Sequence, residues 1–235
     1  MAGTFYKSLM MKNRIKKTEF LPYILIAPAF LLIFLFFFYP FINNFYNSFI
    51  SEGTVSKPSY FVGLDNYIDV LSNEVFYQSL YNTLIWTVGV TLFQFLLGFI
   101  TALISNKQYG WLKAIRPLYI LPWAIPGIVA ALAWRWIYNA DYGILNSLLF
   151  RIGVLSQYHG WLVSPNTAML SVMMVGVWKG YPFYMMMLYA GLQGIPLELY
   201  EAAKIDGANR VQLFTNITLP QLRPIIIMSL TLGLI

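Results

Sequence analysis

The chain has 235 residues, 59% of them hydrophobic and 18% aromatic but only 10% charged, against about 25% charged in an ordinary soluble domain. A soluble globular protein is excluded, and the net charge of +6 points to loop placement rather than to a nucleic-acid partner. There are no cysteines, which removes disulfides, thiolate metal sites and cysteine nucleophiles, and His159 is the only histidine.

Residues 1–19 hold Lys7, Lys12, Arg14, Lys16 and Lys17 ahead of an uncharged 23-residue stretch, 20–42. That run is long enough to cross a hydrocarbon core of about 30 Å as a helix. It is too long for the core of a secretory signal and lacks a small-residue cleavage site. Three more complete apolar segments follow at 80–104, 115–137 and 169–192. A fifth begins near Pro224 and runs over 225–235, about half of what a spanning helix needs. The expected fold is therefore an all-α, polytopic membrane helical bundle of four complete spans and the start of a fifth, and a C-terminally truncated chain is suspected.

Loop charges orient the bundle, because Lys and Arg accumulate on the cytoplasmic side. Five lie in residues 1–19, three are Lys107, Lys113 and Arg116, and three are Lys204, Arg210 and Arg223. The alternate loops hold only Lys57 and Arg151, and the loop 43–79 is acidic, with Glu52, Asp65, Asp69 and Glu74. This places the N-terminus in the cytoplasm. Asp65 and Asp69 have no histidine or metal-ligand neighbour and read as a solvated face rather than a catalytic pair.

Two basic residues fall inside spans. Arg135 sits one turn from the outer end of its helix, where it can snorkel to the headgroups. Lys179 sits near mid-span, where a lysine costs roughly 2.5 to 3.5 kcal/mol on insertion scales, so it should face a cavity, a partner or a polar neighbour. Around it lie Gly176, Trp178, Gly180, Tyr181, Pro182, Phe183 and Tyr184. Proline beside glycine is expected to loosen the helix there. Rings and polar groups together could hold a sugar, or could equally form a packed kink.

The stretch YEAAKIDGANRVQLFTNITLPQLRP, 200–224, is polar enough to lie outside the bilayer and patterned enough to fold. Pro196 suits the first position of a helix and Gly207 its end. Glu198 and Glu201 early and Lys204 late complement the helix dipole. Leu199, Ala202 and Ala203 fall on one face of small apolar side chains. That face could be a docking element for another protein, or could lie on the chain's own bundle.

The same stretch resembles the EAA loop of binding-protein-dependent ABC importer permeases: Glu201, Ala202 and Ala203, then Gly207, Ile217, Leu219 and Pro220 at fixed spacing. Other segments are similar to the carbohydrate-importing branch: Ala27, Pro28, Tyr39, Pro40, Ser48 and Phe49; FVGLDNY at 61–67; Asn82 and Thr83; ILPWAIPGIVAALAWRW at 120–136; YGILN at 142–146; and WKGYPF at 178–183. The resemblance implies a cytoplasmic basic N-terminus (1–19), a first span (20–42), an outer loop (43–79) and an importer transmembrane domain (80–235) incomplete at its C-terminus relative to a six-helix family core. It implies an EAA loop at 194–223 that docks on an ATP-binding subunit through Glu201, Ala202, Ala203, Asp206, Gly207, Ile217, Leu219 and Pro220. It also implies a substrate pathway past Gly176, Lys179, Gly180, Phe183 and Tyr184.

No G-x-x-x-x-G-K-[ST] phosphate cradle occurs in the sequence, so ATP hydrolysis is expected on a separate subunit, with no catalytic residue, metal or cofactor here. The implied partners are two ATP-binding subunits, a second homologous permease, an extracytoplasmic solute-binding protein and the lipid bilayer of a bacterial or archaeal cell membrane. The expected cargo is a sugar or oligosaccharide, with glycerol phosphate or a related polyol-like solute as the alternative. Readings of another class are an ion-driven secondary transporter using Lys179, or a membrane scaffold without transport.

Overall fold

The computed structural model describes residues 20–51, 53, 58–107 and 110–234, without the side chains of residues 110–114. The basic residues of 1–19, together with Glu52, Lys57, the Lys113 side chain and Ile235, lie outside the described residues. Two units are formed, Met1–Gln78 and Ser79–Ile235.

In the first unit, α1 (Phe20–Asn47) is a helix of 28 residues with a mean hydropathy of 2.5 and no part of it buried. It contains a π-helical turn at Phe34–Phe38. An uninterrupted apolar surface with no protein covering it is what a lipid-facing span presents. A two-stranded hairpin follows, pairing Ile50 with Phe61 and Ser51 with Tyr60. The FVGLDNY segment folds back on the end of α1. Asn66 Nδ2 donates to the carbonyls of Ser48 (2.9 Å) and Ile50 (3.1 Å), and the Tyr67 hydroxyl lies 2.6 Å from Ser48 Oγ. That motif is thus a staple for the turn, and α2 (Asp65–Ser72) starts within it.

The helix α3 (Glu74–Ser105), which lies in the second unit from Ser79 onward, is long and apolar enough to cross a membrane, with a mean hydropathy of 2.0. The segment 115–137, expected as one span, is instead two helices, α4 (Gly110–Ala124) and α5 (Gly127–Ile137), bent by 97° between them. The cause is local. Pro126 has no N–H to continue the ladder, and its ring keeps Ile125 out of helical conformation. Among the described residues two helices are therefore long and apolar enough to span, or three if the bent pair counts as one.

After α6 (Ile144–Arg151), the loop to the next helix is organised around Asn146, which is fully buried. Its amide donates to the carbonyls of Asn139 and His159 and accepts from the His159 N–H and Trp161 Nε1. The YGILN motif is in this way a loop core.

α7 (Pro165–Gln193) is 29 residues long and stays continuous through Pro182. The loosening expected at Gly180 and Pro182 does not occur; Pro182 is buried, so neighbouring helices clamp the turn. α7 is the packed centre of this unit. Tyr184, Met185, Leu188 and Leu192 join Ala102 of α3, Ile195 and Leu222 in one buried cluster. Last come α8 (Leu197–Ile205), α9 (Arg210–Leu213), a π-helical turn (Phe214–Thr218) and α10 (Leu219–Gly233).

Candidate functional site

Two constellations carry the functional argument: the polar segment around α8, and the mid-helix region of α7.

α8 forms where the sequence signals place it. Pro196 caps it in extended conformation, Glu198 lies in its first turn and Lys204 in its last. Gly207 adopts φ +82°. The Gly207 N–H bonds back to the Lys204 carbonyl (3.1 Å) and the Ala208 N–H to that of Ala203 (2.9 Å), the paired bonds of a left-handed helix cap. Asn209 then starts α9 with a reciprocal capping box to Gln212.

Nothing lies within 4 Å of where a Gly207 Cβ would sit, so glycine is required there by backbone conformation and not by space. Left-handed φ costs an ordinary residue roughly 1 to 2 kcal/mol, more when β-branched. Gly207→Val should therefore loosen the α8 to α9 turn and lower the thermal midpoint of the protein, and Gly207→Asn should largely restore it. The check is thermal unfolding in detergent; an unchanged midpoint in the valine variant would refute the role of a rigid turn.

The helix has two faces. Inward, Ala203 and Tyr200 are half-buried, and the Tyr200 hydroxyl pairs with Thr218 Oγ1 at 2.9 Å. Ile217 packs with the buried cluster. Outward, Glu201, Ala202, Asp206, Gly207, Leu219 and Pro220 are exposed. Apolar side chains stand in solvent among them: Ile205 is 86% exposed, Leu197 68% and Val211 69%. Ile205, Leu197 and Val211 were missed by motif reading, because nothing in the EAA spacing marks them; an Ile placed between Lys204 and Asp206 was the available signal.

Residues assigned to a substrate pathway lie as follows. Gly176, Gly180 and Tyr184 share one stripe of α7 that packs on α3. A Cβ on Gly176 would meet the Trp86 ring at 3.2 Å, and one on Gly180 would enter the Gln94 amide. Gln94 Nε2 donates to the Gly176 carbonyl at 2.9 Å. Tyr184 is buried, and Phe183, half-buried, packs on its ring at 5.4 Å. Lys179 Nζ donates to the carbonyls of Ile125 (2.6 Å) and Pro122 (3.3 Å) at the α4–α5 bend. Beside it, the Trp178 ring meets Trp134 of α5 edge to face at 5.4 Å.

Of the other cations, Arg135 is exposed in the last turn of α5. Lys107, Lys204, Arg210 and Arg223 are exposed. Arg116 is tied in: its guanidinium donates to the Ser105 carbonyl at 2.5 Å and lies 4.9 Å from the centre of the Tyr189 ring.

Residues 94–235 match the protein family described as the binding-protein-dependent transport system inner membrane component. A trehalose/maltose transport system permease protein of Thermococcus litoralis is 37% identical over 212 residues, covering 90% of this chain and 71% of that one. A sulfoquinovosyl glycerol transport system permease protein of Agrobacterium fabrum is 35% identical, covering 88% and 67%. Among solved structures, a bacterial ABC transporter involved in import of the acidic polysaccharide alginate superposes with a TM-score of 0.79 at 26% identity, over 95% of this chain and 75% of that one. A bacterial alginate transporter in complex with an alginate pentasaccharide-bound periplasmic protein matches with the same TM-score, over 94% and 73%.

Proposed function

The chain belongs to the family of binding-protein-dependent transport system inner membrane components, and from that premise we propose how this permease works and what it carries. It is a multi-pass, helical membrane permease of an ABC importer. Its cargo is a sugar or oligosaccharide; this reading is supported by the trehalose/maltose, sulfoquinovosyl glycerol and alginate systems among its relatives. ATP hydrolysis takes place on separate subunits, and this chain contributes no catalytic residue. A periplasmic or lipid-anchored binding protein delivers the solute, a second permease completes the pathway, and the N-terminus lies in the cytoplasm.

The observation that carries the mechanism is α8, a short helix held on one side and exposed on the other, where Leu197 and Ile205 stand among Glu198, Glu201 and Asp206. Glu201, Ala202, Ala203, Asp206 and Gly207 mark the docking element for an ATP-binding subunit, with Ile217, Leu219 and Pro220 joining it to the bundle. Displacement of α8 passes through the Tyr200–Thr218 pair to α10. From α10 it reaches α7, because Leu222 and Ile225 pack where Gly191 has no side chain. On α7 the stripe of Gly176, Gly180 and Tyr184 is then the wall shared with α3, and Lys179 and Phe183 lie beside the pathway. Such coupling works only if the ATP-binding subunit contacts α8 differently in the inward- and outward-facing states.

The test is uptake of a radiolabelled disaccharide into proteoliposomes holding the assembled transporter and its binding protein. Uptake should require internal ATP and be indifferent to ionophores. Uptake driven by an ion gradient without ATP would refute the reading, and preferential uptake of glycerol phosphate would refute its sugar assignment alone.

A further inference from the structure

We propose that Lys179 is a positioning residue that holds the α4–α5 break in its bent form by donating, from α7, to two of the four carbonyls that the break leaves without their helical partners. In an unbroken helix the Pro122 carbonyl accepts from the N–H of residue 126. Residue 126 is proline and has none. The Ile125 carbonyl would accept from residue 129, but α5 begins at Gly127, and its first bond, Ala130 N–H to the Pro126 carbonyl at 3.0 Å, already reaches back only that far. Ile125 itself is still served, its N–H bonding to the Leu121 carbonyl at 3.2 Å.

Trp123 and Ala124 lose their donors as well, at Gly127 and Ile128 in the first turn of α5; of the four carbonyls that the break orphans, Lys179 Nζ engages the first and the last, Pro122 and Ile125. A backbone carbonyl left unpaired at membrane depth costs several kcal/mol, so an amine on a neighbouring helix has a large effect on which geometry the break adopts. The adjacent side chain strengthens the case. Trp178 packs on Trp134 of α5 while Lys179 takes the end of α4, so two consecutive residues of α7 grip both arms of the bend. Prolines explain why the helix breaks; they do not by themselves select a 97° turn.

The absence of cysteine makes the geometry directly measurable. Leu118→Cys and Trp136→Cys, both on exposed positions, would carry spin labels on the assembled transporter in lipid nanodiscs. At 1.5 Å per residue these sites lie about 27 Å apart in a straight helix and about 18 Å apart across a right-angle bend. The short separation is expected with Lys179 present, and Lys179→Met should lengthen or broaden it towards the straight value, while Lys179→Arg, which retains donors, should keep it short.

Pro126→Ala restores the N–H that the Pro122 carbonyl lacks. In that background Lys179→Met should add nothing, which keeps the inference testable if Lys179→Met alone fails to insert. A distance distribution for Lys179→Met that superposes on the parent's, or an equal defect of Lys179→Met with and without Pro126→Ala, would overturn the proposal.

Only the transport arm rests on the importer reading. There, the loss of one such contact should lower maximal uptake about tenfold, the rate equivalent of roughly 1.4 kcal/mol, with half-saturation unchanged. A changed half-saturation, or a changed preference between two saccharides, would instead make Lys179 a sugar contact and overturn its positioning role.

Discussion

Replacing Ala202 by tryptophan should lower ATP-driven uptake by about 100-fold, which corresponds to roughly 2.7 kcal/mol of lost interaction, while leaving membrane insertion and abundance unchanged. Ala202 is exposed on the outward face of α8, beside Glu201 and between the exposed Leu199 and Ile205. A methyl group there lets another protein approach the helix closely, and an indole holds it off without touching the chain's own core. Ala203 gives the contrast. It is half-buried on the inward face, so Ala203→Trp should reduce the amount of folded protein as well as transport. Uptake assays normalised to membrane-inserted protein separate the two, and normal uptake by Ala202→Trp would refute docking through this face.

The second large effect is expected at Gly98. A Cβ there would fall 2.8 Å from the Met185 backbone nitrogen and 2.9 Å from the Tyr181 carbonyl oxygen, as well as against the Tyr184 Cβ. Backbone on the facing helix cannot swing aside as a side chain tip can. Gly98→Ala should thus part α3 from α7 and destabilise the bundle by about 1 to 3 kcal/mol, with Gly98→Val worse. Gly127, whose Cβ would meet nothing within 4 Å, is the control: Gly127→Ala should leave the thermal midpoint in detergent unchanged or raised. Equal midpoints for both alanine variants would refute the close crossing.

Much of this was legible in the residues. Hydropathy marked α1 and α3, because a long uncharged run has few alternatives to spanning. The α8 boundaries followed from Pro196 and Gly207, since cap chemistry is local. The break at Pro126 was not assigned, although its proline was in plain view: proline interrupts a helix at one position, kinks it at another and is absorbed at a third. Pro182 was absorbed by packing and Pro126 was not, and that difference lies in the neighbouring helices.

Lys179 shows the same limit. Its mid-span position announced a polar partner, but the partner is a pair of backbone carbonyls 54 and 57 residues away, a distance that sequence periodicity does not reach. In α8 the residues signalled a helix between Pro196 and Gly207, while the division into a half-buried Ala203 and an exposed Ala202 depends on how Tyr200 packs against Thr218. Ile205 carries no motif signal, and its exposure emerges only once the helix is seated.

The most direct test of the central claim is purification of the protein in mild detergent, identifying co-purifying subunits by mass spectrometry and assaying ATP hydrolysis, with Glu201→Lys and Ala202→Trp beside the parent. A second permease and an ATP-hydrolysing subunit should co-purify with the parent, and both the association and the ATP hydrolysis should fall in the two variants. A protein that purifies alone, or whose associated ATPase activity is indifferent to both substitutions, would contradict coupling through α8.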